Sequence, residues 1–225
     1  MRSDRTFLGP EALSIIVPAK NEARSVIRVL TDLRMTFPGA EILLVDNASN
    51  DNTAALASSV SGVRIIHEVR PGKGHAMRKG AEEATGSLLL FHDADTEYEI
   101  ADARDVVAQV ASGARCVIGV RRVSFDKVRA SSWLANWLIQ FLLERRFHQR
   151  IRDVLSGTRC MRKQDFLDLQ TRSAGFGIET EIAVKCLNRK FSIAYADVRY
   201  TPRSGKDGKK IRAYHLFALI RLALT

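Results

Sequence analysis

The chain has 225 residues, of which 46% are hydrophobic and 27% charged, so it is long enough for one globular domain with a substantial core. Its three widely spaced cysteines exclude a disulfide framework and a cysteine metal knuckle, and no window approaches the roughly 20 apolar residues that span a bilayer. The net charge of +10 favours polyanionic partners, namely nucleotide phosphates, nucleic acid or an anionic membrane.

Strand and helix patterns alternate through the first 120 residues. Strands are predicted at 13–19, 41–46, 63–68, 87–93 and 114–120, from apolar runs bounded by turn residues. Helices are predicted at 26–37, from Thr53 to about Val60, from the end of the 70–74 loop to about Ala84, and at 103–110. The strands are apolar without alternation, which indicates helices on both faces of a mostly parallel sheet and therefore an α/β fold.

The pattern changes after Val120. A basic loop at 121–130 leads to an apolar helix with Trp133 and Trp137, and a strand at 191–200 precedes a final apolar helix. The two tryptophans share one helix face, which either packs in the core or meets lipid. We interpret 13–120 as a nucleotide-binding half and 121–225 as an acceptor-binding half of a single domain, 1–225.

Polar segments follow four of the predicted strands: "PAKNE", "DNASND", "RPGKG" and "HDAD". In open α/β sheets, ligands bind at the carboxyl ends of the strands. Asp93 and Asp95 point the same way in an extended stretch, and Glu97 continues the row. Mg²⁺ and Mn²⁺ prefer oxygen ligands and usually bind through one or two carboxylates together with substrate phosphates. The row therefore predicts a divalent-metal site, against the alternative of a solvated acidic turn.

These segments resemble, in order, the motifs of family 2 glycosyltransferases with the GT-A fold: "SIIVPAKNE", "LLVDNASNDNT", "GKGHAMRKGAEEATG" and "FHDADTEY". Three further segments resemble the branch that glycosylates dolichyl or polyprenyl phosphate: "DVLSGTRCMRK", "GFGIETEIAVKCLNRK" and "VRYTPRSGKDGKK". The resemblance implies a Rossmann-like GT-A domain. It also implies transfer of a sugar from a nucleoside diphosphate sugar, such as GDP-mannose or UDP-glucose, with Mg²⁺ or Mn²⁺ and usually with inversion.

The resemblance also implies residue roles. The donor nucleotide and sugar would be bound by Pro18, Ala19, Glu22, Asp46, Asp51, Lys73, Asp93 and Ala94. The metal and diphosphate would be held by Asp93, Asp95 and Glu97. The acceptor would be bound by Arg121 or Arg122 and by Ser156, and Arg203 would meet the donor diphosphate. The second motif departs from the family's usual D-D-G-S-x-D-G-T, since Asn47 replaces an acid and both glycines are lost.

Several of these residues have a structural alternative. Glu22 could serve only the dipole of the following helix, Asp51 could only cap a helix, and Lys73 could be a solvated loop charge. Glu179 and Glu181 lie at a predicted helix start, where capping competes with a place in the site. A solvated basic face is the alternative for the run Arg203, Lys206, Lys209 and Lys210.

The acceptor decides whether a base is needed. The leaving nucleoside diphosphate gains negative charge, which a metal at Asp93 and Asp95 and the guanidinium of Arg203 would stabilise. A phosphate acceptor is already anionic, whereas a hydroxyl acceptor needs a carboxylate base, for which Asp153 is the candidate. A cap or an ion pair is the alternative for Asp153. The sequence leaves open both a polyprenyl-phosphate-like lipid and a soluble hydroxyl acceptor.

Two other functions fit parts of the pattern. A nucleotidyltransferase would share the sheet and the carboxylates, but "PAKNEARS" lacks the glycine-rich basic loop that often follows its first strand. A nucleic-acid-binding module would explain the charge but not the aspartate row, and the sequence lacks an aromatic stacking platform. We therefore expect no nucleic acid partner.

The segment "AYHLFALIRLALT" predicts an apolar C-terminal helix, with Tyr214, Phe217, Ile220 and Leu224 on one face and leucines widening it. Anionic lipid headgroups are favoured by the basic residues before it, Lys206, Lys209, Lys210 and Arg212. The N-terminal stretch lacks the apolar core of a signal peptide. We therefore expect a cytoplasmic enzyme attached peripherally to the inner face of the plasma membrane. The alternative is a helix packed in the core or against a second copy in an oligomer.

Overall fold

The computed structural model describes residues 13–122, 130–203 and 213–224, without the side chains of 130–133, 213–216 and 218. One seven-stranded sheet runs through the described residues. Its strands are Leu13–Ala19 (β1), Glu41–Asp46 (β2), Val63–His67 (β3), Leu88–Phe91 (β4), Cys116–Arg122 (β5), Arg159–Arg162 (β6) and Ile193–Arg199 (β7). The spatial order is β3-β2-β1-β4-β6-β5-β7, and among these strands β6 alone runs antiparallel to its neighbours.

Helices cover both faces of the sheet. They are Val26–Thr36 (α1), Thr53–Ser58 (α2), Lys73–Glu83 (α3), Ala103–Ala111 (α4), Ala130–Phe147 (α5), Lys163–Asp168 (α6), Ile178–Asn188 (α7) and Ala213–Leu224 (α8). Buried residues of α1, α2 and α4 form one core cluster with Ile15 and Val17 of β1. Residues of α3, α6 and α7 form a second cluster with Ile16, which points to the opposite face. The predicted α/β architecture is confirmed.

Most predicted elements lie where the sequence indicated, with boundaries that differ by a few residues. The fourth strand ends at Phe91 rather than at residue 93, so the aspartate pair follows the strand instead of belonging to it. Two elements were not predicted, β6 and α6. The β6 segment "RCMR" has four residues, without a β-branched side chain and with arginine at both ends, so no local pattern announces a strand.

Helices α5, α7 and α8 form a third cluster beside the sheet. The side chains of Leu219 and Ala223 on α8 are buried against residues of α5 and α7, whereas Phe217 and Leu224 are exposed. The C-terminal helix therefore packs into the domain on one side, as the core alternative predicted. The basic residues Lys206, Lys209, Lys210 and Arg212 lie outside the described residues, as do the side chains of Trp133, Tyr214 and Leu216. No helix among the described residues is long and apolar enough to cross a bilayer.

Candidate active site

The first four strands are parallel, so their carboxyl ends meet at one edge of the sheet. The strand register pairs Ala19 with Asp46 and Asp46 with His67. Pro18 lies one step inside this edge, opposite Val45. The loops after β1, β2, β3 and β4 therefore converge, as the sequence predicted for a ligand site.

The loop after β1 is fastened to the loop after β2. The Glu22 backbone N–H donates to Thr53 Oγ1 at 2.8 Å. The Glu22 side chain is buried, and its carboxylate accepts from Ser25 Oγ at 3.0 Å and from Arg203 Nη2 at 2.7 Å. Glu22 thus pairs with an arginine from a distant segment. Its role is therefore more than an interaction with the dipole of α1.

Asp46 is the last residue of β2 and Asn47 follows it, and their side chains contact different groups. Asp46 is buried, and among the described residues its Oδ1 has no hydrogen-bond partner, while Oδ2 lies 3.5 Å from His67 Nδ1. The Asn47 amide donates to the carbonyls of Glu68 and Arg70, and its Oδ1 accepts from the Gly72 N–H at 2.6 Å. An aspartate could not donate to those carbonyls, so Asn47 suits the 68–72 loop where the family usually has an acid.

Asp51 organises the start of α2. Its Oδ1 accepts from the N–H and the hydroxyl of Thr53, and its Oδ2 accepts from the Ala23 N–H at 3.2 Å. These contacts match the capping alternative. The side chain is exposed, so a contact with the nucleobase stays a prediction.

The "RPGKG" loop lies close against the segment before α7. Gly72 has φ +130°, and a Cβ there would lie 2.2 Å from the carbonyl oxygen of Ala174. A Cβ on Gly74 would lie 1.9 Å from the Ser173 oxygen, and the Gly74 N–H donates to the Ala174 oxygen at 2.7 Å. Only glycine permits these approaches. The loop thereby brings Lys73 inward.

Lys73 bridges the two halves of the chain and is not a solvated loop charge. Its Nζ lies 2.5 Å from Asp93 Oδ1 and 2.6 Å from Glu179 Oε1, and only 14% of its side chain is exposed. Burial alone lowers the pKa of Lys73, but the charges of Asp93 and Glu179 outweigh it and raise that pKa above its ordinary value. Of the two acids at the start of α7, Glu179 faces the site. Glu181 instead accepts from the Arg172 and Ser173 N–H groups.

The aspartate pair has two distinct environments. Asp93 pairs with Lys73 and lies so close to Gly157 that a Cβ there would be 1.9 Å from Asp93 Oδ2. Burial first, then the negative charges of Asp93 and Glu97, raise the pKa of Asp95 to about 7, and Arg203 opposes them. Ala94, between them, is buried in the core. Asp95 is therefore the acid of the row whose ionised form is most disfavoured by its surroundings.

Glu97 is occupied by other parts of the protein. Its Oε2 accepts from the Tyr200 hydroxyl, and its Oε1 accepts from the Arg203 N–H at 2.8 Å. In the described ranges, no three His, Cys, Asp or Glu side chains are grouped as a metal site. Asp93 and Glu97 both lie close enough to raise the pKa of Asp95, while Asp93 also pairs with Lys73 and Glu97 with the segment after β7, so metal binding by all three carboxylates stays a prediction. Asp95, beside Asp93, retains the donor chemistry that suits Mg²⁺ or Mn²⁺ together with a diphosphate.

Asp153 and Arg121 form a saturated pair. Arg121 donates from its backbone N, Nε and Nη2 to both Asp153 oxygens, at 2.6 to 3.2 Å. Asn136 Nδ2 adds a bond to Asp153 Oδ1 at 3.1 Å, and the Asp153 N–H donates to Gln140 Oε1 at 2.7 Å. The ion-pair alternative for Asp153 is the one observed. Both carboxylate oxygens of Asp153 are therefore already occupied by donors of the protein.

The other two predicted acceptor residues lie apart from this pair. Arg122 follows Arg121 on β5 and points the other way, where it pairs with Asp197 at 2.5 Å on the surface. Ser156 is fully buried, with its Oγ 3.5 Å from the Tyr98 hydroxyl. Ser156 is therefore enclosed in this structure, and acceptor binding by Ser156 and by either arginine stays a prediction.

Two partners in this site were missed by sequence reasoning. Tyr200 contacts Glu97 across 103 residues, and Asn136 contacts Asp153 across 17 residues. The only sequence signal was that each lies in a segment already assigned to the acceptor half, since neither belongs to a charged or spaced motif.

Comparison with known proteins identifies the family. A model described as "Glycosyl transferase family 2" matches residues 14–169. The chain is 34% identical over 205 residues to glycosyltransferase AglJ of Haloferax volcanii, covering 88% of this chain and 66% of that protein, just under two thirds. It is 27% identical over 221 residues to polyprenol monophosphomannose synthase of Mycolicibacterium smegmatis, covering 88% of this chain and 82% of that one.

Solved structures agree on the fold. Glucosyl-3-phosphoglycerate synthase of Mycobacterium tuberculosis, solved with UDP, superposes with a TM-score of 0.78 at 20% identity, over 95% of this chain and 79% of that one. The same enzyme has been solved with Mn²⁺, UDP and its glucosylated product. The GT-A fold prediction is confirmed, and the nucleotidyltransferase alternative was wrong. The chain belongs to glycosyl transferase family 2.

Proposed function

We propose that the chain transfers a sugar from a nucleoside diphosphate sugar, of the GDP-mannose or UDP-glucose type, to a polyprenyl-phosphate-like acceptor. The observation that carries this proposal is the cluster of charged side chains at the carboxyl edge of the sheet. There an acid of raised pKa, Asp95, lies among Asp93, Glu97 and the guanidinium of Arg203. Such alternation of anionic and cationic groups suits a metal-bound diphosphate.

The donor site combines the first four loops. The unpaired Oδ1 of Asp46 suits an N–H donor of a nucleobase, and Pro18, Ala19, Glu22 and Asp51 surround the same edge. Lys73, Asp93 and Ala94 would belong to the donor site next to the diphosphate. The M. tuberculosis enzyme bound to UDP and Mn²⁺ has this fold, which supports a nucleotide at this edge. These roles are proposals for this chain.

Asp95, with Asp93 beside it, would hold Mg²⁺ or Mn²⁺. When bound, the divalent ion neutralises charge on the leaving nucleoside diphosphate. Arg203 would donate to phosphate oxygens of the same diphosphate, since a guanidinium can bind phosphate bidentately. Arg203 is held at the site by Glu22 rather than lying on a solvated face. Its charge therefore opposes the negative charge that develops on the leaving group.

The saturation of Asp153 favours a phosphate acceptor. A hydroxyl acceptor would need a carboxylate free to take a proton, and Asp153 is committed to Arg121 and Asn136. A phosphate is already anionic and needs a cation to bind it. Arg121 has the charge, and the side-chain contacts described for it use Nε and Nη2, which leaves Nη1 for a ligand. The relative named polyprenol monophosphomannose synthase also supports a lipid phosphate.

A lipid acceptor calls for contact with a membrane, and α5 offers a surface for it. Leu134, Trp137 and Phe141 are each about half exposed, and we call them the α5 stripe. Trp137 and Phe141 stack with centroids 5.8 Å apart, and Arg145 lies over the Phe141 ring. Aromatic residues next to basic ones are typical of membrane interfaces. We propose peripheral attachment to an anionic membrane surface, such as the inner face of the plasma membrane.

The test is a transfer assay with GDP-mannose, UDP-glucose and related donors, each with and without Mn²⁺ or Mg²⁺. Acceptors are a polyprenyl phosphate in detergent, the corresponding free polyprenol, and a soluble set of phosphorylated hydroxy acids. Transfer to the lipid phosphate but not to the polyprenol supports the proposal, because only the phosphate needs no base. Transfer to a soluble hydroxyl compound alone would replace it with the soluble-acceptor alternative.

A further inference from the structure

Both carboxylate oxygens of Glu97 and its backbone carbonyl accept hydrogen bonds from one short segment after β7, while its N–H donates to Asp95 Oδ1 at 3.3 Å. Its Oε2 accepts from the Tyr200 hydroxyl, and its Oε1 accepts from the Arg203 N–H at 2.8 Å. Its backbone carbonyl accepts from the Thr201 N–H at 2.7 Å. The neighbouring Tyr98 forms an antiparallel bridge with Tyr200, and the two rings meet edge-on with centroids 5.0 Å apart. The 97–98 stretch thus holds residues 200–203 in one position.

The segment held in this way carries Arg203 into the site. Arg203 Nη2 reaches Glu22 Oε2 at 2.7 Å and Ser25 Oγ at 3.3 Å, in the segment between β1 and α1. The backbone of Arg203 is therefore fixed by Glu97 and its guanidinium by Glu22. The bond to Glu97 is the one hydrogen bond described for the Arg203 N–H. Loss of that bond would release the backbone of Arg203, and the guanidinium would move with it.

A metal ion would have to compete with these partners. The Tyr200 ring is half-buried, and burial first, then the hydrogen bond to Glu97, raise the pKa of its phenol above the ordinary value. The phenol therefore stays protonated as a donor to the carboxylate. Bonds of this kind to an ionised acceptor are among the stronger hydrogen bonds in proteins.

We propose that Glu97 is a positioning residue that fixes the 200–203 segment, and through it Arg203, rather than a third metal ligand. The inference rests on the proposed function, in which Arg203 opposes charge on the donor diphosphate. In this proposal Asp95 and Asp93 bind the metal, and Glu97, the third acid of the row, holds the 200–203 segment instead.

The test compares Glu97→Ala, Tyr200→Phe and Asp95→Ala with the wild type. Calorimetry measures the affinity for the nucleoside diphosphate of the active donor, with and without Mn²⁺. Hydrogen exchange reports on the Arg203 amide, and steady-state kinetics give kcat and KM. We expect Asp95→Ala to abolish the gain in affinity that Mn²⁺ brings, and Glu97→Ala and Tyr200→Phe to keep that gain within about threefold.

The Glu97→Ala and Tyr200→Phe variants should instead show the loss of positioning. We expect a fall in kcat, about ten- to a hundredfold for Glu97→Ala and less for Tyr200→Phe, with little change in donor KM. Exchange at the Arg203 amide should accelerate in Glu97→Ala. Glu97→Gln should restore most of the activity, because its amide can accept from the Arg203 N–H and donate to the Tyr200 oxygen. In the Arg203→Ala background, Glu97→Ala should add little.

Two results would overturn the inference. One is a Glu97→Ala variant that loses the Mn²⁺ effect as Asp95→Ala does while Tyr200→Phe keeps wild-type kinetics. The other is an unchanged kcat in Glu97→Ala. If Glu97→Ala does not fold, Tyr200→Phe decides alone, since it removes only one hydroxyl. If the wild type itself gains no nucleotide affinity from Mn²⁺, the proposed function fails rather than the role of Glu97.

Discussion

Asp95 is the residue whose titration should control the site. Its pKa of about 7 means that below neutral pH a proton occupies the carboxylate that would bind the metal. We expect the affinity for nucleotide with Mn²⁺ to fall about tenfold per pH unit below pH 7 and to level off above pH 8. Calorimetry between pH 5.5 and 8.5 checks this, and Asp95→Asn should bind nucleotide weakly at every pH. A pH-independent affinity would contradict the assignment.

The same group should make the metal-free protein less stable as the pH rises. The unfolded chain ionises Asp95 near pH 4 and the folded protein near pH 7, so between these values the unfolded state binds fewer protons. Stability from this group is complete below about pH 4 and is lost as the pH approaches 7. We expect Asp95→Asn to stabilise the metal-free protein at pH 8 by about 2–4 kcal/mol and to have little effect at pH 4. Denaturant titration at both pH values measures the difference.

Asp153 should matter for structure and not for proton transfer. Removing it leaves the largely enclosed Arg121 without its partner, so Asp153→Ala should cost about 1–3 kcal/mol of stability, less than for a fully buried pair because Arg121 is 21% exposed. Asp153→Asn keeps the shape, and with a phosphate acceptor the pH dependence of kcat/KM should have the same form as that of the wild type. Loss of the acidic limb of that profile in Asp153→Asn would instead identify Asp153 as a base.

Residue roles could be predicted only as far as local patterns reach. The period-two spacing identified Asp93 and Asp95 as candidate site residues, and the flanking glycines did the same for Lys73. The partners of the site residues come from distant parts of the chain. Arg203 and Glu22, for example, are 181 residues apart. Glu97 looked like a third ligand because its partner Tyr200 has no signature in sequence. The contact of Ser156 with the Tyr98 hydroxyl likewise joins residues 58 positions apart.

At the scale of elements, two glycines set how closely the loops approach, and they should respond differently to alanine. A Cβ on Gly74 would meet the backbone oxygen of Ser173 at 1.9 Å, so α3 and the 173–174 segment would have to separate. We expect Gly74→Ala to lower stability by about 1–3 kcal/mol and to weaken donor binding. Gly175→Ala is the matched control, because nothing lies within 4 Å of a Cβ there. Equal melting temperatures for the two variants would contradict this packing.

Gly157 should affect the site more than the fold. A Cβ there would lie 1.9 Å from Asp93 Oδ2, the end of a side chain that can move. We therefore expect Gly157→Ala to remain folded but to displace Asp93 from Lys73, with donor affinity reduced about tenfold or more. Comparison with Gly175→Ala in a melting assay and in calorimetry separates the two effects. A folded Gly157→Ala protein with wild-type affinity would show that the position of Asp93 is not critical.

The strand order shows which elements could be inferred and which could not. The first four strands follow from apolar runs, even where the strand is as short as the four residues of β4, because its sequence is LLLF. β6 enters between β4 and β5 as four residues whose pairing depends on neighbours far away in sequence. Arg159 within it is fully buried and donates to the carbonyls of Val154, Ser156 and Glu179. A buried arginine of this kind reads as a surface residue in sequence, so both the strand and its role were missed.

At the scale of the whole molecule, α5 links the proposed acceptor site to the surface. Asn136 and Gln140 on this helix hold Asp153, while the α5 stripe of Leu134, Trp137 and Phe141 is exposed on the same element. An acceptor whose phosphate binds Arg121 would keep its lipid tail near this helix. Membrane contact and acceptor binding are therefore expected to depend on the same element.

We expect the protein to sediment with vesicles that contain anionic lipid and to be released by high salt, because screening weakens the attraction of a chain with net charge +10. The double variant Trp137→Ser, Phe141→Ser should bind about 30-fold more weakly or worse, since each exposed ring contributes roughly 1–2 kcal/mol when it enters the interface. Met35→Ser is the matched control, because Met35 is 66% exposed but lies on α1. A double variant that sediments like the wild type would remove the α5 stripe from the proposal. If the wild type instead stays in the supernatant and elutes as an oligomer that the double variant dissociates, the stripe is a contact between copies of this chain, and the soluble-acceptor alternative gains support.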